Sequence, residues 1–259
     1  MNRLELSDLP VETTSASSSP NDATTISAHL ASGGPPHSLF SPLHYEKNYA
    51  YPLLIWLHGD EGNEYQLRQV MPLISMRNYV GVATRGTVSN RGNEASFRWE
   101  QTQREIFLAE HRILDSIEMA GEEFHLDTRR IFLAGFQSGG TMALRMALNH
   151  PDRFAGAVSI GGPFPQGEAP LRCLKQARNL PIFLAQCRDS SDYSIDTACE
   201  ELRLFHIAGL QASIRQYPCG NELDTQMLAD LDTWIMEQIT GVVAEEPHFP
   251  APWPQGEEN

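Results

Sequence analysis

The segment 130–151 constrains the fold of this chain most strongly, because it joins a buried strand to a helix through a very short turn. Its sequence is RIFLAGFQSGGTMALRMALNHP. The apolar residues 131–134 predict a strand that is buried on both faces, and the run 141–148 has the composition of a helix. The few residues between them include Gly135, Gly139 and Gly140. The segment therefore predicts a strand, a tight turn and a helix.

The rest of the chain repeats this alternation. Short apolar runs predict strands at residues 53–57, 79–83, 155–160, 181–185 and 212–217. Helical spacing of apolar residues predicts helices at residues 64–76, 101–120, 197–209 and 223–239, with a short helical piece near Leu174. Pro72 is expected to bend or interrupt the first helix, and Gly121 to close the second. Alternation of this kind indicates an α/β fold with a doubly wound, mostly parallel sheet and helices on both faces.

Two weaker segments complete the prediction of local structure. Residues 26–30 and 38–45 have the pattern of an opening antiparallel pair of strands. Residues 84–99 are polar and predict a long loop.

Length and local composition predict one packed domain. The 259 residues suffice for one α/β domain and do not require a second. Residues 1–25 are rich in Ser, Thr and Pro, which predicts a disordered or loosely attached arm. We expect the packed domain at residues 26–240 and an irregular tail in the acidic, Pro-rich residues 241–259.

Charge and cysteine usage narrow the class of protein. A formal net charge of -14 argues against a nucleic-acid or anionic-membrane partner, because either would repel so acidic a surface. The cysteines show no C-x-x-C spacing, which predicts reduced thiols. The start of the chain lacks the apolar core of a signal peptide and no later run is long enough to span a membrane, so we expect a cytoplasmic protein. No spacing of His, Cys, Asp or Glu suggests a metal site.

A functional site is expected in the loops that follow the strands. In a doubly wound sheet, ligands bind at the carboxyl ends of the strands. The loops at that edge are residues 58–63, 135–140, 186–193 and 218–223.

Four segments in this order resemble the phospholipase/carboxylesterase family of α/β-hydrolases, which includes acyl-protein thioesterases: LHGDEGNE, LAGFQSGGTMALRMAL, PIFLAQ and YPCGNELDTQMLADLDTWI. The resemblance spans roughly residues 51–239 and implies the α/β-hydrolase fold. Members of that family have an LHG loop, a G-F-S-Q-G-G turn called the nucleophile elbow, an aspartate within G-x-x-D-x-x-V-P and a histidine within G-H-E. They cleave esters or thioesters through a serine acyl-enzyme and need no cofactor, so no cofactor is expected here.

This sequence departs from the family pattern at each catalytic position. Gln137 stands where the family has its serine, and Ser138 stands where the family has glutamine. Asn221 replaces the histidine. At the acid position the match leaves three candidates open, namely Asp189, Ser190 and Asp192.

The replacements predict that serine-hydrolase activity is lost. Attack by serine needs a base that titrates near the working pH, and asparagine has no such proton equilibrium. A glutamine amide is a poor nucleophile because its nitrogen lone pair is delocalised into the carbonyl. The resulting hypothesis is a pseudoenzyme that binds a small ester-like ligand or a protein partner. An active ester or thioester hydrolase that uses the displaced Ser138 with an unidentified base is the alternative, and a purely structural interaction module is a third possibility.

Other residues in the same loops have a structural interpretation beside the functional one. The family's oxyanion hole consists of backbone N–H groups, which the resemblance assigns here to Ser138 and to Gly59 and Asp60 in the LHG loop. Backbone donors survive a change of side chain, so a carbonyl or anion could still bind there. A structural role is expected for His58. Cys187 and Cys219 follow the last two predicted strands and should be neighbours, with buried free thiols as the favoured interpretation.

Overall fold

A computed structural model describes residues 26–29, 36–90 and 93–242. The arm predicted at residues 1–25 and all but the first two residues of the predicted tail lie outside this range. Within it, the strands are β1 (Ile26–His29), β2 (His37–Phe40), β3 (Tyr51–Leu57), β4 (Val80–Thr84), β5 (Val88–Asn90), β6 (Asn93–Arg98), β7 (Leu126–Phe136), β8 (Gly156–Ile160), β9 (Pro181–Cys187) and β10 (Gln211–Tyr217). The helices are α1 (Gln66–Ile74), α2 (Gln103–Glu123), α3 (Ser138–Asn149), α4 (Leu174–Ala177), α5 (Ile195–Ala208) and α6 (Thr225–Thr240).

The central sheet has eight strands in the order β1-β2-β4-β3-β7-β8-β9-β10. All neighbouring pairs from β4 to β10 are parallel, while β1 pairs with β2 and β2 with β4 in the antiparallel direction. The predicted mostly parallel sheet and the existence of the opening antiparallel pair are therefore confirmed, but the second strand ends at Phe40 and does not extend to residue 45 as predicted.

Helices cover both faces of the sheet, because successive side chains of the buried strands point to opposite sides. In β3, Leu53, Ile55 and Leu57 pack with α2, α3 and α5, while Leu54 and Trp56 pack with α1 and α6. All of β3 is buried, which explains why its sequence is a continuous apolar run. The doubly wound α/β fold is confirmed.

Two local predictions are wrong. Residues 84–99 are not a long loop, since β5 and β6 form an antiparallel hairpin there. The hairpin depends on tertiary contacts: the N–H of Phe97 donates to the carbonyl oxygen of Gly62 at 2.8 Å, and the Arg85 guanidinium lies 4.7 Å from the centre of the Phe97 ring. Gly121 does not close α2, because the helix runs on to Glu123 and the buried Phe124 follows it. A glycine inside a helix costs only about 1 kcal/mol relative to alanine, which packing of Phe124 can offset.

Pro72 lies inside α1 without ending it. None of the helices in the described part of the chain is long and apolar enough to cross a membrane.

Candidate functional site

The turn between β7 and α3 consists of one residue, Gln137. Its backbone has φ 49° and ψ -122°, a left-handed conformation that non-glycine residues rarely adopt. Its N–H donates to the carbonyl oxygen of Ile160 at 2.8 Å. The turn can be this tight because α3 begins directly against β3: a Cβ atom on Gly139 would lie 2.3 Å from the carbonyl oxygen of Leu57. This geometry places the Gln137 side chain at the carboxyl edge of the sheet.

The Gln137 carboxamide connects two loops that lie far apart in the sequence. Its Oε1 accepts the backbone N–H of Asp60 at 3.0 Å, and its Nε2 donates to the backbone carbonyl of Asn221 at 3.2 Å. The orientation of the amide follows from these partners, because a backbone N–H can only donate and a carbonyl can only accept. The Gln137 side chain is therefore hydrogen-bonded to the backbone N–H of Asp60, which was predicted to be a donor of the oxyanion hole.

Ser138 is the first residue of α3, and within residues 36–90 and 93–242 no histidine is hydrogen-bonded to its side chain. Its hydroxyl donates to the Asp60 carboxylate at an Oγ–Oδ1 distance of 2.5 Å and accepts the backbone N–H of Trp99 at 3.3 Å. Asp60 is exposed and Ser138 is half-buried. Ser138 thus lies in the first turn of α3, as the structural interpretation of this serine requires. The titratable group that is hydrogen-bonded to its hydroxyl is the Asp60 carboxylate.

The side-chain amide of Asn221 forms hydrogen bonds with the loop 186–193, which carries the three acid candidates and is called the acid loop below. Its Oδ1 accepts the Ser190 hydroxyl at 2.6 Å, and its Nδ2 donates to Ser191 Oγ at 2.9 Å and to Asp192 Oδ2 at 2.8 Å. Asp189 instead forms a solvent-exposed ion pair with Arg188, 3.2 Å apart. Of the three acid candidates, Ser190 and Asp192 thus form hydrogen bonds with the Asn221 side chain, and Asp189 does not. Ser191 was not predicted as a site residue. The sequence points to it only through its position between the candidates Ser190 and Asp192.

His58 is fully buried beneath the site and has the structural role expected for it. Its Nε2 accepts the N–H of Gly86 at 2.8 Å, so the ring proton is on Nδ1, which donates to the carbonyl oxygen of Gly59 at 2.8 Å. Burial lowers the pKa of His58 to about 4, so the ring is neutral at pH 7. The Trp99 indole N–H donates to the His58 carbonyl at 3.1 Å, which fixes the same loop from the other side.

Two buried glutamates that the sequence analysis missed support the loops around the site. Glu64 is fully buried and receives two hydrogen bonds from the Arg85 guanidinium, at 2.8 and 2.6 Å. Glu201 accepts the N–H of Phe164 at 2.7 Å and the Tyr193 hydroxyl at 2.6 Å, and its burial raises its pKa. Tyr193 donates its own N–H to Ser190 Oγ at 3.0 Å, so Glu201 helps to hold the acid loop against Asn221.

The side chains around the elbow do not form a metal site. Within the described residues, no group of three or more His, Cys, Asp or Glu side chains is arranged to hold a metal ion. A cavity of about 680 Å³ lies at the amino ends of β8 and β9, on the opposite edge of the sheet. No predicted site residue lines it, so it does not belong to the elbow.

Comparisons with known proteins agree with this architecture. A family model described as Phospholipase/Carboxylesterase matches residues 94–239. The chain is 22% identical over 201 residues to the "Putative hydrolase MhqD" of Bacillus subtilis (strain 168), which covers 75% of this chain and 98% of that protein. The crystal structure of the Bacillus cereus carboxylesterase superposes with a TM-score of 0.62 at 18% identity, covering 80% of this chain and 96% of that one. The carboxylesterase from Mesorhizobium loti gives a TM-score of 0.65 at 17% identity, covering 81% and 98%.

Proposed function

This chain belongs to the phospholipase/carboxylesterase family of α/β-hydrolases, and on that basis we propose that it is a member that no longer hydrolyses esters and binds a small, uncharged ester-like ligand at the elbow. The observation that carries the proposal is the position of the Gln137 carboxamide, which lies between the N–H of Asp60 and the carbonyl oxygen of Asn221.

The first support for lost hydrolysis is the state of the oxyanion hole. The Asp60 N–H is one of the donors that the family resemblance assigns to the developing oxyanion, and here it is bonded to Gln137 Oε1. Loss of one such donor costs about 10²- to 10³-fold in kcat. A substrate carbonyl would have to displace the glutamine side chain before it gained this hydrogen bond.

The second support is the lack of a suitable base. Asn221 does not titrate, and its side chain is already bonded to Ser190, Ser191 and Asp192. Catalytic triads act as a unit, so loss of both nucleophile and base costs little more than loss of one, which is already several orders of magnitude.

The proposed ligand follows from the groups at the elbow. The carbonyl oxygen of the neutral Gln137 carboxamide accepts the backbone N–H of Asp60. When the glutamine side chain rotates away, the carbonyl oxygen of an ester or amide ligand can accept this N–H in its place. The Asp60 carboxylate accepts the Ser138 hydroxyl beside this position, and the Asp192 carboxylate accepts the side-chain amide of Asn221, whose backbone carbonyl holds Gln137. Both negative charges disfavour an anionic ligand. An uncharged acyl compound is therefore the ligand class that fits best.

Nuclear magnetic resonance with ethyl butyrate tests binding and turnover in one sample. The backbone amide signal of Asp60 is expected to shift with ester concentration in the wild type, and at lower ester concentration in Gln137→Ala, where the competing carboxamide is absent. No ethanol should form. An unmoved Asp60 signal in both proteins would refute ligand binding, and ethanol formed by the wild type but not by Ser138→Ala would refute the loss of hydrolysis.

One observation favours the second candidate, an ester hydrolase built on Ser138. The Ser138 hydroxyl is 2.5 Å from Asp60 Oδ1, which supplies a proton acceptor that the sequence did not identify. A carboxylate is a much weaker base than an imidazole, so this pair would give slow hydrolysis at best. A fluorophosphonate probe that labels the wild type at Ser138, and labels Asp60→Asn far less, would favour this candidate. An unlabelled Ser138 would exclude it.

A further inference from the structure

A groove at the amino ends of β8 and β9 lies on the edge of the sheet opposite the elbow. It consists of the cavity of about 680 Å³ and an adjoining one of about 290 Å³, and both are lined by Pro151, Asp152 and Gln176. The loop between α3 and β8 forms one wall, and α4 with the residues that lead into β9 forms the other. We call the two cavities together the amino-edge groove.

Asn149, the last residue of α3, lines the smaller cavity and has an unsatisfied side chain. Only 7% of its surface is exposed. Its Oδ1 is buried and accepts no hydrogen bond from any residue that the structure describes. Such an atom is unfavourable, because it has lost its hydration without gaining a partner. A hydrogen-bond donor that enters the smaller cavity would satisfy it.

The amino-edge groove combines apolar walls with a positive rim. Its apolar lining residues are Pro151, Phe154, Leu180 and Pro181. Two exposed cations, Lys175 and Arg153, also line it, together with one carboxylate, that of Asp152. The lining is therefore positive in a chain whose net charge is -14. An acidic segment with apolar side chains is complementary to such a groove.

The last helix brings the chain to the same edge of the sheet. α6 begins after the carboxyl end of β10 and runs back over the sheet, and its Trp234 ring lies 2.7 Å from where a Cβ on Gly156, the first residue of β8, would be. From Trp234 to Thr240 the helix advances about 9 Å further toward the amino ends of the strands. Ala155, the neighbour of Gly156, lines the groove. Residues 243–259 thus follow a helix that ends at the edge where the groove opens.

The sequence of residues 243–259, which lie outside the described residues, matches the chemistry of the groove. It contains four glutamates and no lysine or arginine, with PHFPAPWP at 247–254. Proline-rich segments are bound in apolar grooves as polyproline II helices, whose carbonyl oxygens are free to accept hydrogen bonds. Trp253 combines a large apolar ring with an indole N–H, and Asn149 Oδ1 lacks such a donor. At about 3.1 Å per residue, the segment can span on the order of 50 Å, so its length does not limit its reach.

We propose that the amino-edge groove binds residues 243–259 of the same chain. The part 247–254 lies against the apolar walls, and Trp253 fills the smaller cavity and donates its indole N–H to Asn149 Oδ1. The glutamates of the segment lie near Lys175 and Arg153. Because the segment is tethered, its effective concentration at the groove is on the order of millimolar, which favours docking even where the separate segment would bind weakly.

Cross-linking of the full chain with a water-soluble carbodiimide tests the docking. This reagent joins a carboxylate directly to an amine that contacts it, and the lysines of the chain are Lys47 and Lys175. Lys47 is exposed shortly before β3, at the same edge of the sheet, and serves as the matched control. Peptide mapping of the monomer fraction should find the glutamates of 243–259 linked to Lys175 at least about threefold more often than to Lys47, because docking raises the local concentration at one lysine only.

Two variants of the full chain isolate the contacts. Trp253→Ala changes a residue outside the predicted packed domain, and Asn149→Leu replaces the unsatisfied amide by an apolar side chain of similar size. Each should lower the yield at Lys175 and leave the yield at Lys47 unchanged.

Four results would overturn the proposal. They are no link from the segment to Lys175, equal yields at the two lysines, a yield at Lys175 that neither variant lowers, and links that occur only in a dimer fraction. The last result would mean that the segment docks on a second copy of the chain. The comparison of the two lysines in the wild type is decisive even if Asn149→Leu fails to fold.

Discussion

Gln137 combines a backbone conformation that favours glycine with a side chain that hydrogen-bonds to both neighbouring loops. A left-handed conformation at a non-glycine residue costs on the order of 1–3 kcal/mol, and it persists only where the surroundings determine it. Here the bonds of its carboxamide to Asp60 and Asn221 partly offset that cost. The carboxamide thus holds the strained turn in place between the two loops.

Replacing Gln137 by alanine and by glycine separates these two effects. Both variants lose the carboxamide bonds, but only glycine relieves the backbone, whose φ is 49°. We expect Gln137→Gly to have a free energy of unfolding about 1 kcal/mol higher than Gln137→Ala in urea titrations. Equal stability of the two variants, or a more stable alanine variant, would show that the turn is not strained.

The site depends on the close approach of α3 to β3. Gly139 allows it, because a Cβ there would meet the carbonyl oxygens of Leu57 and His58 at 2.3 and 2.4 Å, and these backbone atoms cannot move aside easily. The same carbonyl edge leads into the loop of Asp60. The position of Gln137 is thus fixed by helix packing as well as by its own hydrogen bonds.

Gly139→Ala and Gly121→Ala make a matched test of this packing. Gly139→Ala should lower the free energy of unfolding by at least about 2 kcal/mol, because overpacking forces α3 away from β3. Gly121 lies inside α2, and a Cβ added there would meet no atom of the described residues outside its own helical turn within 4 Å. Gly121→Ala should therefore raise the stability by about 0.5–1 kcal/mol. Thermal and urea unfolding of both variants would check this, and a harmless Gly139→Ala would contradict the close contact.

Across the molecule, the strands that are buried on both faces could be predicted from the sequence. β3 and β9 were predictable because full burial demands a continuous apolar run. The β5–β6 hairpin was not, because its polar strands are held by contacts with Gly62, more than 20 residues earlier, and with the side chain of Arg85, which precedes β5.

Some residues of the candidate site could likewise be predicted from the sequence, and others could not. Gln137 and Asn221 could be identified from the order of motifs along the chain. The choice among Asp189, Ser190 and Asp192 depends on how the loop folds back, and Glu201 lies in a helix far along the sequence with no local signal. Whether hydrolysis is lost remains a prediction.

The buried His58 should make the stability of the whole domain depend on pH. Burial lowers the pKa of His58 from 6.5 to about 4, so the unfolded chain binds more protons than the native state in that window. Stability should therefore fall as the pH falls from about 6.5 to 4, by up to about 3 kcal/mol from this residue. Glu201 acts in the opposite direction, because its pKa is raised.

Urea unfolding at several pH values isolates the His58 contribution by comparison of variants. The stability of the wild type should fall more steeply toward acid than that of His58→Gln, while His111→Gln, which replaces an exposed histidine, should follow the wild type. Parallel curves for the wild type and His58→Gln would contradict a neutral, buried His58.

We propose that the elbow of this chain does not hydrolyse esters because Gln137 and Asn221 replace a nucleophile and a base. The most direct test is the rate of p-nitrophenyl butyrate hydrolysis by the wild type, measured beside Ser138→Ala and the double variant Gln137→Ser/Asn221→His. We predict that the wild type and Ser138→Ala do not exceed the uncatalysed rate, and that the double variant is at least about tenfold faster than the wild type. Wild-type turnover that disappears in Ser138→Ala would contradict the claim.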